Sequence, residues 1–141
     1  MQTMKTRLFQ LLAIAFLTLT AASANATDPG ECTLAGQVAT REWKAWNDLM
    51  PPKPDYLHVI GEIEVPNPGV EPLLRPSEPQ GRNPLILILD LYLCQMPGMW
   101  TQALTWKPVR FDTEISGSGY TQVHIIGDNA DFGFIDAGET Q

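Results

Sequence analysis

Asn83-Pro-Leu-Ile-Leu-Ile-Leu-Asp-Leu-Tyr-Leu-Cys94 is the longest apolar run outside the N-terminus, and its reading decides the fold. Taken alternately, Leu85, Leu87, Leu89, Leu91 and Leu93 share one face, while Ile86, Ile88, Asp90, Tyr92 and Cys94 share the other. A strand apolar on both faces for its first half belongs in the middle of a sheet, covered above and below. A buried helix is the rival reading. The run is short, Pro84 opens it and Pro97-Gly98 closes it, so the strand is preferred.

Shorter strands flank this run. Over Tyr56–Val65, Leu57, Val59, Ile63 and Val65 alternate with His58, Ile60, Glu62 and Glu64, which predicts one buried and one largely wet face. Pro66-Asn67-Pro68-Gly69 reads as a turn. Val70–Arg75 follows as a short edge strand, where Pro72 is tolerated because an edge N–H need not pair. Trp100–Phe111 is expected to be a further strand, with Pro108 marking a bulge or an edge. Ile115–Gly119 is a flexible connection, Tyr120–Ile126 alternates again, Gly127-Asp128-Asn129 is a turn and Phe132–Ile135 is a last short strand. Strands separated by Gly/Pro turns predict a mainly β protein, an antiparallel sandwich or alternatively a small β-barrel.

One short N-terminal helix is predicted over Thr33–Met50. Ala39, Trp43, Trp46 and Met50 are spaced to share one helical face, and Pro51-Pro52 would end it. Its tryptophan stripe is expected to pack on the sheet; if exposed, it would offer a partner protein an anchor. Upstream, Lys5 and Arg7 precede an apolar stretch from Leu8 to Leu19, and Ala24-Asn25-Ala26 supplies small residues for cleavage. Residues 1–26 therefore read as a cleaved signal peptide, leaving no stable membrane insertion. The expected layout is 1–26 signal peptide, 27–55 N-terminal helix and Pro-rich connection, and 56–141 β-sandwich domain.

Beyond residue 26 the chain carries seven basic and sixteen acidic side chains, a net charge of −9, with no Lys or Arg after Arg110. Such a surface repels phosphate backbones and anionic lipid, so nucleic acid is excluded as a partner, while basic proteins and cations are compatible. The charge also keeps an exported protein soluble. Export places Cys32 and Cys94 in an oxidising compartment, periplasmic or extracellular, where two cysteines allow one bridge. The alternative is a pair of separate thiols.

No pattern predicts an enzyme, a metal or a cofactor. Asp131-Phe-Gly133 spells a kinase motif without its companions. Asp128, Asn129 and Asp131 lack calcium-loop spacing. His58 and His124 would bind zinc only if two strands aligned them with Glu62 or Glu64; each reads as a solvent-facing strand residue. Ser77, Ser116 and Ser118 lack a nucleophile-elbow context, and Asp90 is expected to point outward.

Val59-Ile-Gly-Glu-Ile-Glu-Val-Pro-Asn-Pro-Gly69, Asn83-Pro84, Ile88-Leu-Asp-Leu91, Thr101–Phe111 and Tyr120-Thr-Gln-Val-His-Ile125 together resemble a group of small bacterial exported proteins. The resemblance covers about residues 57–126. It implies an immunoglobulin-like β-sandwich and brings no activity or site with it. A weaker likeness links Ser116-Gly-Ser-Gly-Tyr120 to small-barrel lysozyme inhibitors, whose loop carries Ser-Gly-Ser-Gly before a Tyr. Here the spacing to Tyr120 is shorter, and the flanking strands and cysteine do not match. Two functions follow as expectations. One is a non-catalytic envelope module that binds a protein through a sheet edge or through Trp43 and Trp46. The other is a secreted inhibitor of a basic enzyme, inserting the loop of Ser116 and Tyr120.

Overall fold

The central run folds as the strand that its alternation predicts. In the computed structural model, which describes residues 30–140, Leu87, Leu89 and Leu91 are buried within β5 (Ile86–Gln95). The remaining strands are β1 (Glu31–Leu34), β2 (Thr40–Asp48), β3 (Tyr56–Val65), β4 (Val70–Pro76), β6 (Thr105–Glu114), β7 (Gln122–Gly127) and β8 (Ala130–Thr140). β5 has neighbours on both edges: β4 along one, with β7 and then β1 along the other. Only one of its faces is deeply covered, however. Ile86, Ile88, Asp90 and Tyr92 are half-buried, because the sheet wraps one core and, among the described residues, no second layer covers its convex side.

The strands form one curled sheet in the order β1-β5-β7-β8-β2-β3-β6, with β4 on the far edge of β5. β8 joins the two halves. Its first part pairs antiparallel with β7, and Ala137–Thr140 then runs parallel to β2. β5 and β7 are also parallel, so the expected all-antiparallel arrangement is corrected to a mixed one. The reason is topological: β6 lies in the other half, and crossing there and back restores the chain direction. The curl also brings β4 beside β6, where Lys107 Nζ meets Glu71 Oε1 at 2.7 Å. Leu57, Val59, Ile63 and Val65 of β3 face Leu89, Leu91, Val123 and Ile125 across the shared core.

The helix expected over Thr33–Met50 is not formed; this span holds β1 and β2 instead. A register shift between Arg41 and Lys44, with Glu42 at φ 57°, bulges β2 and resets its phase. Beyond the bulge, Ala45 and Asn47 are buried and Trp43 packs on the core. Trp46 turns to the outer face, where it lies beside His58 of the neighbouring strand. The strand expected from Trp100 begins only at Thr105. Trp100 instead folds back over Gly69, donating Nε1–H to the Met96 carbonyl at 3.0 Å. The last strand is longer than Phe132–Ile135, because β2 offers β8 a second partner. The signal peptide over residues 1–26, and residues 27–29 of the segment after it, lie outside the described residues.

Cys32 and Cys94 form the disulfide, as directly opposed residues of β1 and β5. Gly61 in β3 makes room for the Trp43 indole; a Cβ there would lie 2.3 Å from Trp43 Cε3. Gly61→Ala is expected to cost about 2 kcal/mol through overpacking. Urea unfolding would show this as a lower midpoint at unchanged slope. An unaltered midpoint would mean that Trp43 shifts freely.

Candidate functional site

The fork between β2 and β8 opens the most distinctive surface of the molecule. The two strands pair only from Ala45↔Ala137 to Asp48↔Thr140, and the first part of β8 leaves β2 to follow β7. An open cleft of about 680 Å³ lies where they diverge. Trp43 and Phe132 form its inner wall and pack on the core; Trp46, Phe134 and Asp136 line the rest, and Lys44 is its basic member. Phe134 is 56% exposed, a high value for a phenyl ring on a strand.

Each outer aromatic is steadied by a histidine. His124 of β7 stacks on Phe134 with ring centroids 4.0 Å apart and planes 12° from parallel. His58 of β3 lies 5.2 Å from Trp46 and stacks on Tyr56 at 6.2 Å. Each imidazole in turn meets an aspartate. His124 Nε2 is 3.0 Å from Asp131 Oδ1, and His58 Nδ1 bonds Asp112 Oδ1. An ionised Asp112 only accepts, so Nδ1–H donates to it. Arg110 Nε donates to the second oxygen of Asp112 at 2.7 Å. That bond, with a smaller contribution from His58, holds the Asp112 carboxyl below the usual carboxylate range against the opposing effect of burial. The Gly133 N–H, and then His124, lower Asp131 in the same sense. Outward from the cleft the surface is therefore an aromatic stripe edged by ordered carboxylates.

The candidate residues from the sequence fall in three places. Trp43 and Trp46 do not make the paired anchor that helical spacing suggests, since one lies on the inner face and one on the outer. Ser116 is exposed, whereas Tyr120 packs against the core with its backbone tied to Asn47, Tyr120 N–H···Oδ1 at 3.0 Å and Nδ2–H···O=C at 2.7 Å. The loop of Ser116–Tyr120 links the two halves of the sheet and is not a free finger. Asp90 lies on the outer face of β5, in register with Arg75. Asp131 accepts from its own turn, at Gly133 N–H, 2.8 Å. Among the described residues, no group of three His, Cys, Asp or Glu side chains is placed to hold a metal ion. The histidines contact carboxylates, aromatic rings and Arg110, and no hydroxyl or thiol bonds them among the described residues. The sequence marks Phe134 simply as a residue of the last strand, because its exposure depends on where β8 parts from β2.

A larger hollow of about 760 Å³ lies beside the disulfide, lined in part by Asn67, Gln95, Met96 and Trp100. Two of its polar side chains satisfy one another: Asn67 Nδ2 donates to Gln95 Oε1 at 2.9 Å, and Asn67 Oδ1 accepts from Gly69 N–H at 3.0 Å. It offers less to a ligand than the cleft. No protein-family model, no curated protein and no solved structure matches this chain.

Proposed function

We propose that this chain is an exported, non-catalytic binding module of the cell envelope or extracellular space, and that it engages a protein partner through the β2/β8 cleft. We read its curled sheet as a distorted immunoglobulin-like sandwich, two facing halves over one core. The single observation that carries the binding reading is the lining of one open cleft by four aromatic rings, with Phe134 more than half exposed. Exposed aromatics that neighbouring rings hold in place lose little entropy on binding and are typical anchors. The inhibitor reading is less well supported. Inserting Tyr120 into an enzyme would require it to leave the core and break both bonds to Asn47.

The test is affinity capture from an envelope extract with the chain from Thr27 tagged after Gln141, beside a Trp46→Ala/Phe134→Ala variant and a Trp100→Ala control. A saturable partner is expected to be retained by wild type and by Trp100→Ala and lost by the double variant. Equal retention by all three would remove the cleft from the interaction. Circular dichroism of each variant separates lost binding from lost folding.

A further inference from the structure

The chain already shows how it treats a half-buried aromatic ring on its surface when an arginine is within reach. Arg41 lies over Trp106 with its guanidinium carbon 4.0 Å from the ring centre, and Arg75 lies over Tyr92 at 5.5 Å. Trp46 and Phe134 have imidazole neighbours instead, and among the described residues no guanidinium or ammonium covers either ring. The hairpin that carries Phe134 has no Lys or Arg, since the last basic residue in the chain is Arg110.

Two carboxylates near Phe134, Asp136 in the cleft lining and Asp131 beside the His124 ring that stacks on Phe134, are oriented and only half used. Asp136 Oδ1 accepts from Gln122 Nε2 at 2.9 Å. Asp131 Oδ1 takes both His124 and the Gly133 N–H, and its side chain is 65% exposed. Among the described residues, neither Oδ2 atom accepts a hydrogen bond. Fixed carboxylate oxygens near an exposed aromatic face are what a planar, weakly hydrated cation requires. The ring attracts the cation through its quadrupole, and the oxygens accept its N–H groups.

From this geometry we propose that the β2/β8 cleft binds an arginine-bearing basic polypeptide segment, with a guanidinium over Phe134 or Trp46 and its N–H groups directed to Asp136 and Asp131. The proposal rests on reading the cleft as a binding site and adds the chemistry of its ligand. Arginine suits the site better than lysine, because a flat fork can stack and donate at once, whereas an ammonium remains a hydrated point charge. The acidic body of the protein would draw such a segment in and make association salt-dependent. Lys44 is the cation already in the cleft, so its charge opposes the ligand.

Calorimetric titration of the chain from Thr27 with an alternating Arg-Gly peptide, its Lys-Gly counterpart and a neutral oligosaccharide tests the proposal. The Arg peptide is expected to bind most tightly and to weaken as salt is added. Phe134→Ala and Asp136→Asn should each reduce its affinity about tenfold, the size of a desolvated cation–π or charge-assisted contact. Lys44→Glu should tighten it severalfold, a gain that loss of structure could not produce. The proposal is overturned if the three variants bind the Arg peptide as wild type does, or if the neutral saccharide binds in a Phe134-dependent and salt-independent way. A captured partner lost with the Trp46→Ala/Phe134→Ala variant but indifferent to Lys44→Glu and salt would keep the module reading and overturn the cationic ligand. Arg-peptide binding with the expected variant effects, without any captured protein, would support the ligand chemistry and count against a protein partner in the extract.

Discussion

Removing the disulfide with Cys32→Ala/Cys94→Ala is expected to lower the stability of the fold by about 4 kcal/mol, the loop-closure contribution of a bridge with this separation. For a domain near this size that corresponds to a fall of roughly 15 °C in Tm. The loss should also be localised. β1 has four residues and among the described residues pairs only with β5, so beyond that short ladder the bridge and two backbone bonds of Ala35 keep it in place. Those bonds run from Ala35 N–H to the Leu91 carbonyl and from Asp128 N–H to the Ala35 carbonyl, both 2.8 Å. Once β1 frays, the edge of β5 from Tyr92 to Gln95 is left unpaired on that side, an opening for strand-to-strand association. Calorimetry gives the stability change, and amide exchange at Thr33 and Leu93 gives its location. Thiol reduction of wild type should reproduce both effects. An unchanged Tm in the double variant would mean that β1 docking does not depend on the bridge.

Asn47→Ala is expected to cost about 2 kcal/mol, because the two part-buried backbone groups of Tyr120 lose their partner on the buried Asn47 side chain. Asn47 is 2% exposed on the inner face of β2. Its amide bonds the Tyr120 carbonyl at 2.7 Å and approaches the Gly138 carbonyl at 3.4 Å, while its oxygen accepts from the Tyr120 N–H at 3.0 Å. One side chain thus fastens β2, β8 and the connection between the halves of the sheet. Gly119, at φ 83°, passes so close that a Cβ there would stand 2.8 Å from Asn47 Oδ1. Urea unfolding of Asn47→Ala, together with exchange of the Tyr120 amide, checks the assignment. Near-native stability with a still-protected Tyr120 amide would show that the loop is held by packing of its ring alone. Asn47→Leu should be no better, since it restores volume and leaves both backbone groups unpaired.

Several elements were legible because their side chains repeat with the period of the structure they form. Leu57, Val59, Ile63 and Val65 alternate, as do Leu87, Leu89 and Leu91, and both sets are buried on one face. Pro72 was expected on an edge strand and Pro108 at a bulge or an edge; among the described residues β4 pairs only with β5, and β6 only with β3, so both lie on edges. The misreading of residues 33–50 also has a physical cause. A bulge at Glu42 breaks the two-residue period, and the buried Asn47 looks like a surface residue, so the helical spacing of Ala39, Trp43, Trp46 and Met50 was the more regular signal. In the segment from Trp100 to Leu104, apolar alternation suggested a strand, but Trp100 found a better contact over Gly69.

Of the candidate site, the sequence displayed the parts and not their assembly. Trp46, His58, His124 and Phe134 are visible as aromatic or imidazole side chains on strands, and the scarcity of basic residues near the C-terminus is evident by counting. The sequence by itself determined the strand content, the acidic balance and which cysteines could pair, because these depend on composition and on periods of two residues. Only the tertiary structure decided that β8 leaves β2 after a short parallel pairing, that Trp43 and Trp46 part to opposite faces, and that four aromatic rings line the resulting cleft. Those features arise from pairings between strands about ninety residues apart. No local pattern encodes such pairings, since register is set by the burial of whole faces against one another.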